Sequence, residues 1–292
     1  GRPERVLFSA GIPPGAGGSA VNGIVDGLEA ACGHYSLELA GGDTVSSPGG
    51  FFFDVAITGV VEAGTAIRMS GASPGGFLCI SGPCGASLGG LWVLEAATGK
   101  KGSCPFAFDS PESASLLGEV EAIARTLDIS TSKKDLEEAC GARGLAPGCA
   151  EVLDMARHHL VPRTRPLDIG LDRGQVTSMI DLSDGIASDL FSLCEAGGTG
   201  ALIDADRIPA HGGLEALRGL GVRIGGEDLL KLLLSSGEEY LQLFTLRAGF
   251  AAQPGGGFRV IGEVTGEAGV LSLRGPGGET RPLPGRGWEH GI

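Results

Sequence analysis

The chain has 292 residues, enough for one large domain or two ordinary ones. Its formal net charge of −13 disfavours nucleic acid and anionic membranes as partners, although divalent cations could still bridge its carboxylates to an anionic substrate. Hydrophobic residues make up 42% and charged residues 20%, the balance of a globular protein.

The seven cysteines indicate a reducing compartment. Their number is odd and no two are spaced as C-x-x-C, which argues against a disulfide framework and a structural zinc site. No apolar run is long enough to span a bilayer, and the opening residues do not form a signal peptide. We therefore predict a cytoplasmic protein.

The first 66 residues predict strand, helix, strand and strand in that order. Val6 to Ile12 is apolar enough for a strand, and Ser19 is placed to cap a helix that carries one apolar face. The segments "YSLELAGG" and "FFFDVAITGVV" predict the next two strands. Because the first strand has neither lead-in nor initiator methionine, we expect the chain to begin within an α/β domain, of which residues 1–66 are the remainder.

Strands and helices also alternate over residues 67–292, which predicts a second domain of α/β or α+β layers. The segments "FLCISGPCG" and "VTSMID" predict strands, and "IASDLFSLCEAGG" and "DLLKLLL" predict helices. Residues 101–150 are less regular, hold two helical patterns, and are interpreted as an insertion. "FRVIGEVTG" and "GVLSLRG" predict a terminal hairpin.

Three carboxylate-bearing loops stand beside predicted strands. "GGDT" and "DLSDG" each follow a strand, and we expect their aspartates at the strand ends; "SSGEEY" precedes a strand. Ligands bind at strand ends in open sheets. In "DLSDG", a free carboxylate, a serine hydroxyl and a helix N-terminus together favour a metal–nucleotide loop.

Simpler interpretations remain open for each loop. Ser183 or Asp184 could simply cap the following helix. Asp43 could be a turn residue after two glycines, and Glu238 and Glu239 could lie in a solvated loop.

Eight segments in order resemble thiamine-monophosphate kinase, a family within the aminoimidazole ribonucleotide synthetase-like superfamily. They are "RVLFSAGIPP", "LAGGDTVSSPGGFFFDVAITGVV", "RMSGASPGGFLCISGPCGASLGGL", "HHLVPRTRPL", "MIDLSDGIASDL", "LSSGEEYLQLFT", "VIGEVTG" and "RPLPGRGWEHGI". "GGDT" and "DLSDG" are shared more widely in the superfamily, whereas the "SSGEEY" loop and the "GWEH" ending are more particular to the kinase.

The resemblance implies a two-domain aminoimidazole ribonucleotide synthetase-like fold with an incomplete N-terminal domain, whose sheet pairs with a partner's in a homodimer. It implies direct transfer of the ATP γ-phosphate to thiamine monophosphate, with Mg²⁺, giving thiamine diphosphate. Such chemistry depends on positioning and charge neutralisation more than on a nucleophilic side chain, and no catalytic side chain is assigned.

Roles for three residues near the front follow from the resemblance. Asp43 resembles a Mg²⁺ ligand, and Gly42 resembles the glycine whose backbone lies against ATP. Arg68 resembles an arginine that contacts ATP phosphate, although Met69 is an alternative match in that register.

The remaining roles fall on the second domain. Asp181 and Asp184 resemble Mg²⁺ ligands, and Ser183 resembles a contact to ATP. Glu238 resembles the glutamate that contacts thiamine monophosphate. Trp288 resembles an aromatic residue that packs on the thiamine rings, where a cationic thiazolium would favour an aromatic face; a tail aromatic pinned to the surface is the alternative.

The chain also departs from the resembled kinases. It contains neither their G-D-D-A-type motif nor their D-x-L-V-E-G-V-H-F-type motif, Glu239 replaces an aspartate, and Ala86 replaces the aspartate of a G-D-S-A-type turn. We therefore expect the chain alone to be inactive or a poor catalyst. The alternatives are another ATPase of the superfamily, such as a selenophosphate synthetase-like enzyme, and a non-catalytic nucleotide-binding relative.

Overall fold

The computed structural model describes residues 1–100, 104–164, 173–249 and 257–284. Trp288 lies outside these residues. The chain divides into two compact units, residues 1–66 and 67–292, which are described separately below. None of the described helices is long and apolar enough to cross a bilayer.

The first unit is a three-stranded sheet with one helix, in the predicted order of elements. Its elements are β1 (Arg2–Ile12), α1 (Gly18–Tyr35), β2 (Glu38–Ser46) and β3 (Phe52–Val60). The sheet order is β2-β1-β3, with β1 parallel to β2 and antiparallel to β3. The parallel pair needs a long crossover, and α1 supplies it.

The helix of this unit does not begin as predicted. Gly17 occupies the N-cap position and makes no side-chain hydrogen bond, so Ser19 lies inside the first turn and is not the cap. The described structure buries no residue of α1. The helix therefore lacks both devices that usually fix a helix in a protein, a side-chain cap and a buried face.

The second unit contains a seven-stranded sheet and seven α-helices within the described residues. The strands are β4 (Phe77–Ile80), β5 (Val176–Asp181), β6 (Gly200–Asp204), β7 (Gln242–Leu246), β8 (Arg259–Thr265), β9 (Leu271–Arg274) and β10 (Thr280–Pro282). The helices are α2 (Ala86–Ala97), α3 (Pro111–Ala124), α4 (Lys133–Ala142), α5 (Cys149–Leu160), α6 (Ile186–Gly197), α7 (Gly212–Gly219) and α8 (Gly226–Ser235). The two helices predicted within residues 101–150 are α3 and α4.

The strand order is β10-β9-β6-β8-β4-β7-β5, which places β5 at one edge of the sheet. The predicted hairpin of β8 and β9 is wrong, because β6 lies between them and pairs with both. β9 instead pairs with β10 in an antiparallel arrangement.

One large apolar core fills the second unit. Strand residues such as Leu78 and Ile80 pack with residues from every helix from α2 to α8. Ile186, Leu190 and Leu193 on α6 are all buried, which confirms the predicted apolar face of the helix that follows "DLSDG". This packing fixes where α6 begins, and so where the preceding loop lies.

Candidate active site

Two of the three carboxylate loops meet beside the edge strand β5. Asp181 ends β5 and pairs with Gln242 at the start of β7, so both loops leave the sheet at the same point. The pairing continues beyond the strands, since Tyr240 N–H donates to the Leu182 carbonyl (2.9 Å) and Glu238 N–H donates to the Ser183 carbonyl (2.7 Å). Backbone hydrogen bonds thus join the two loops directly.

The start of α6 is closed by a residue that the sequence did not single out. Gly185 is the N-cap and has a φ of 101°, a conformation that strains residues with a side chain. The buried Asp189 carboxylate accepts hydrogen bonds from Asp184 N–H and Gly185 N–H, each at 3.1 Å. Neither Ser183 nor Asp184 caps the helix, so the simple capping interpretation is wrong and both side chains are available for another role.

The other loop, residues 236–240, is strained and only partly solvated. Glu238 and Tyr240 have φ values of 54° and 50°, which cost about 1–3 kcal/mol each for residues with side chains. Glu238 is exposed, but Glu239 is only 1% exposed, so the solvated-loop interpretation is wrong for Glu239. Strain of this kind is typical of functional sites.

The electrostatic effects show that the carboxylates converge. Burial raises the pKa of the Tyr240 phenol, and the negative charges of Glu238, Asp181 and Asp184 raise it further. Burial likewise raises the pKa of Asp189 to about 6, with Asp184 and Asp181 contributing in the same direction. Within the described residues, none of these four carboxylates forms an ion pair with a lysine or arginine. The region is therefore negative and attracts cations.

The donor set fits a magnesium ion that is shared with a substrate. Among the described residues, no three histidine, cysteine, aspartate or glutamate side chains are arranged to hold a metal ion by themselves. Mg²⁺ is usually bound through one or two carboxylates, with substrate phosphates and water completing its shell. Asp181, which is exposed, and Asp184, which is half-buried, can supply that part.

The third carboxylate loop lies in the first unit and is not a strand end. Asp43 lies within β2, three residues before its end, and pairs with Ser9 of β1, so its predicted position is wrong. Gly42 has a structural reason to be glycine, because a β-carbon there would lie 1.7 Å from the Phe8 carbonyl oxygen. The metal role of Asp43 and the ATP role of Gly42 stay predictions.

The backbone of Arg68 is hydrogen-bonded to strand β5. Its carbonyl accepts a hydrogen bond from Met179 N–H at 3.1 Å, two residues before Asp181, and its side chain is exposed. Met69, the alternative match, begins the short 3₁₀ helix Met69–Gly71. This position is compatible with the contact to ATP phosphate, which stays a prediction.

Several polar residues near Glu238 were missed by sequence reasoning. His159 faces the Ser87 hydroxyl, with 3.2 Å between Nδ1 and Oγ. Burial lowers the pKa of His159, and the negative charge of Glu238 opposes this shift. His158 lies 3.6 Å from the Glu239 carboxylate through its Nε2. In the sequence, only the resembled segments "HHLVP" and "CGAS" could have signalled these residues. The two segments come together because α5 packs against α2.

The fold of this chain is also found in solved structures of other proteins. A solved thiamine-monophosphate kinase from Stenotrophomonas maltophilia matches 94% of this chain and 72% of its own length, at a TM-score of 0.64 and 22% identity. AaThiL complexed with AMPPCP and TMP matches at a TM-score of 0.59 and 21% identity, over 99% of this chain and 74% of that one. The hydrogenase maturation protein HypE in complex with ATP matches at a TM-score of 0.58 and 17% identity. This match covers 97% of this chain and 73% of that one. The chain therefore has the aminoimidazole ribonucleotide synthetase-like fold.

The sequence itself is similar to thiamine-monophosphate kinases, which confirms the resemblance. The curated enzyme of Salmonella typhimurium is 27% identical over 76% of this chain and 51% of its own length. The enzyme of Escherichia coli K12 is 28% identical over 91% of this chain and 67% of its own length. The enzyme of Pyrococcus abyssi is 25% identical over 99% of this chain and 73% of its own length. The chain thus spans about half the length of the Salmonella enzyme and two thirds or more of the Escherichia coli K12 and Pyrococcus abyssi enzymes. No family model matches the chain.

Proposed function

We propose that this protein transfers the γ-phosphate of ATP onto the phosphate of thiamine monophosphate, giving thiamine diphosphate and ADP. The observation that carries the proposal is the direct joining of the Asp181–Asp184 loop to the Glu238 loop, which brings a cation-attracting group beside a substrate-contact candidate. The names of the curated relatives and the AMPPCP and TMP bound by AaThiL support it.

The reaction requires a phosphate oxygen of thiamine monophosphate to bond to the γ-phosphorus while the bond from that phosphorus to the β,γ-bridging oxygen breaks. No protein nucleophile is needed, so the residues act by binding and orientation. Ser183 would donate its hydroxyl to a phosphate oxygen of ATP, and Glu238 would contact the thiamine substrate. Arg68 would contact an ATP phosphate, and Trp288 would pack on the thiamine rings. A backbone contact to ATP is proposed separately for Gly42 of the first unit.

Asp181 and Asp184 would hold Mg²⁺ in the second unit, and a Mg²⁺-ligand role is proposed separately for Asp43 in the first unit. The ion supplies neutralisation of phosphate charge when bound. The unpaired negative charge around Tyr240 and Asp189 is the feature of this chain that favours such an ion. Without a cation, these carboxylates would repel the polyphosphate of ATP.

Three further parts belong to the proposal. We propose a homodimer that forms through the sheet of the first unit, where every residue of β2 and of the strongly apolar β3 is exposed. We propose a cytoplasmic location, in keeping with seven cysteines that are all free. We also propose that the 292 residues alone transfer phosphate slowly, since two motifs of the resembled kinases are not among them.

A different ATPase of the superfamily is the second candidate, because the fold match to HypE is nearly as good as that to AaThiL. A selenophosphate synthetase-like activity or nucleotide binding without catalysis would share the same fold. The curated relatives, which are named as thiamine-monophosphate kinases, favour the first candidate.

The test combines binding with turnover. Calorimetry with AMPPCP and Mg²⁺, then with thiamine monophosphate, measures each ligand, and chromatography of labelled ATP products measures transfer beside the E. coli enzyme as a positive control. We expect both ligands to bind and thiamine diphosphate to form, more slowly than in the control. ADP formation that does not depend on thiamine monophosphate would favour the other ATPase, and binding of ATP without thiamine monophosphate would contradict the proposal.

A further inference from the structure

Glu239 ties the candidate substrate loop to the start of helix α2. Its Oε1 accepts hydrogen bonds from Gly85 N–H and Ser87 N–H, both at 3.0 Å, and from the Ser236 hydroxyl at 2.5 Å. The Ser236 hydroxyl oxygen also accepts from Leu88 N–H at 3.1 Å. The first turn of α2 therefore donates three backbone N–H groups to the loop that carries Glu238.

Burial raises the pKa of Glu239, while its hydrogen bonds to Ser236, Ser87 and Gly85 and the charge of His211 oppose this. Among the described residues, no lysine or arginine pairs with the carboxylate. Glu239 Oε2 has no hydrogen-bond partner among the described residues, and the nearest ring nitrogen, His158 Nε2, is 3.6 Å away. The N-terminus of α2 carries a partial positive charge, which favours a carboxylate at that place. A buried acid with one satisfied and one unsatisfied oxygen is costly, so its presence calls for a reason.

The reason lies in the residues on either side of it. Glu238 and Tyr240 both have left-handed backbone conformations, and Glu239 is the only residue between them. Backbone hydrogen bonds to Ser183 and Leu182 hold the two strained residues from one side. Glu239 holds the loop from the other side, through α2, so the strained conformation is fixed by contacts on both faces.

We propose that Glu239 is a positioning residue that fixes the exposed Glu238 carboxylate for contact with thiamine monophosphate. This inference rests on the proposed function, because it takes Glu238 as the contact to that substrate. Glutamate has one methylene more than the aspartate of the resembled kinases, so Glu239→Asp would draw the carboxylate back from the α2 backbone. A displacement of about 1 Å at a substrate contact can cost on the order of 10²-fold in rate.

The test uses Glu239→Ala with two readouts that are independent of each other. The first is hydrogen exchange at the amides of Gly85, Ser87 and Glu238, which reports local opening and needs no activity. The second is steady-state kinetics with each substrate varied in turn. We expect faster exchange at all three amides and a KM for thiamine monophosphate raised about tenfold or more, while the KM for ATP changes less than about twofold.

Thr245→Val is the matched control, because Thr245 is also fully buried and its hydroxyl bonds to Ser178 Oγ at 2.7 Å. It should lower the melting temperature without raising the KM for thiamine monophosphate. Glu239→Gln keeps a carbonyl oxygen for the two amides and should restore at least part of the substrate affinity. If Glu239→Ala does not fold, Glu239→Asp takes its place as the variant expected to lose affinity, and Glu239→Gln stays the variant expected to keep it.

The outcomes separate this inference from the proposed function. If the wild-type protein does not use thiamine monophosphate, the proposed function fails and exchange at the Glu238 amide decides alone whether Glu239 holds the loop. Unchanged exchange at Glu238 would overturn the inference, even if Gly85 and Ser87 open. A kinetic loss shared equally with Thr245→Val would overturn it as well, because it would show a general loss of stability.

Discussion

The two units use apolar sequence in opposite ways. The strongly apolar β3 is exposed along its whole length, with Phe53 at 49% and Ile57 at 58% exposure. In the second unit, β4 is only four residues long, and three of the four are completely buried. The same local pattern thus ends in an open surface in one unit and in a core in the other.

The difference also separates the two sets of candidate ligands. Asp181, Asp184 and Glu238 are held by loops that backbone hydrogen bonds and buried helices fix in place. Asp43 stands on an exposed strand, where its carboxylate accepts a hydrogen bond from the adjacent Thr44 N–H at 2.8 Å. Packing therefore preorganises the candidate ligands of the second unit, and preorganised groups contribute most to charge stabilisation in a transition state.

The largest expected effect is the loss of phosphate transfer in Asp181→Asn. Removing one electrostatic stabiliser typically costs about 10²–10³-fold in turnover. Since Asp181 is exposed and forms no ion pair within the described residues, the melting temperature should not change. Initial rates with Mg-ATP and thiamine monophosphate check the first part, and calorimetry checks the second.

Asp206→Asn is the control, because it removes the same charge from an exposed residue that follows another strand, β6. It should leave the rate close to that of the wild type. A variant Asp181→Asn that keeps near-normal activity would contradict the metal role of Asp181.

The second expected effect concerns the open surface of the first unit. Phe53→Lys puts a charge on the β3 face that also carries Val55 and Ile57, where burial of an unpaired ammonium is costly. A cost of about 3 kcal/mol would raise the dissociation constant of the dimer more than about a hundredfold. Analytical ultracentrifugation over a range of concentrations measures this.

Thr58→Lys, which places the same charge on the opposite face of β3, is the matched control. If both variants and the wild type have the same mass, the sheet of the first unit is not a dimer interface. If both variants dissociate the dimer, the interface is not confined to the β3 face that carries Phe53.

Sequence reasoning succeeded where local pattern and packing agree. The spacing of Ile186, Leu190 and Leu193 predicted the buried face of α6, and Asp181 was correctly placed at a strand end. The "GGDT" aspartate, Asp43, was misplaced because the glycines read as a turn, whereas Gly42 allows close approach to β1.

The remaining errors came from contacts that are distant in the chain. Successive strands are usually neighbours, yet β6 lies between β8 and β9, which no local pattern could indicate. Glu239 looked like a loop residue because its partners Gly85 and Ser87 lie about 150 positions earlier. Because Glu239 is buried by a helix terminus that is distant in the chain, no local sequence pattern could predict the polar cluster around it.

A third expected effect depends on pH and belongs to the second unit. Burial lowers the pKa of His158 to about 4, with positive charge on His211 and Arg157 acting in the same direction, while Glu239 and Asp154 oppose it. A histidine with a lowered folded-state pKa stabilises the protein above pH 6.5, and this stability is lost as pH falls from about 6.5 to about 4. The shift corresponds to about 3 kcal/mol.

His158→Gln removes this titration, so the difference in unfolding free energy between the wild type and the variant should change across that pH range and stay constant above it. Urea unfolding at half-unit pH steps measures the difference. A constant difference from pH 4 to pH 7 would show that His158 titrates normally, and hence that its surroundings are not closed to water.

The smallest expected effect compares one serine from each unit. Ser132 caps α4 in a reciprocal arrangement: Asp135 N–H donates to the Ser132 hydroxyl oxygen, and Ser132 N–H donates to the Asp135 carboxylate at 2.6 Å. Ser19 lies inside the first turn of α1 and makes no cap. We expect Ser132→Ala to lower the unfolding free energy by about 1 kcal/mol and Ser19→Ala to change it by less than about 0.5 kcal/mol. Equal losses in the two variants, measured by urea unfolding, would mean that α1 is capped after all and that the first unit is held together more like the second than its exposed strands indicate.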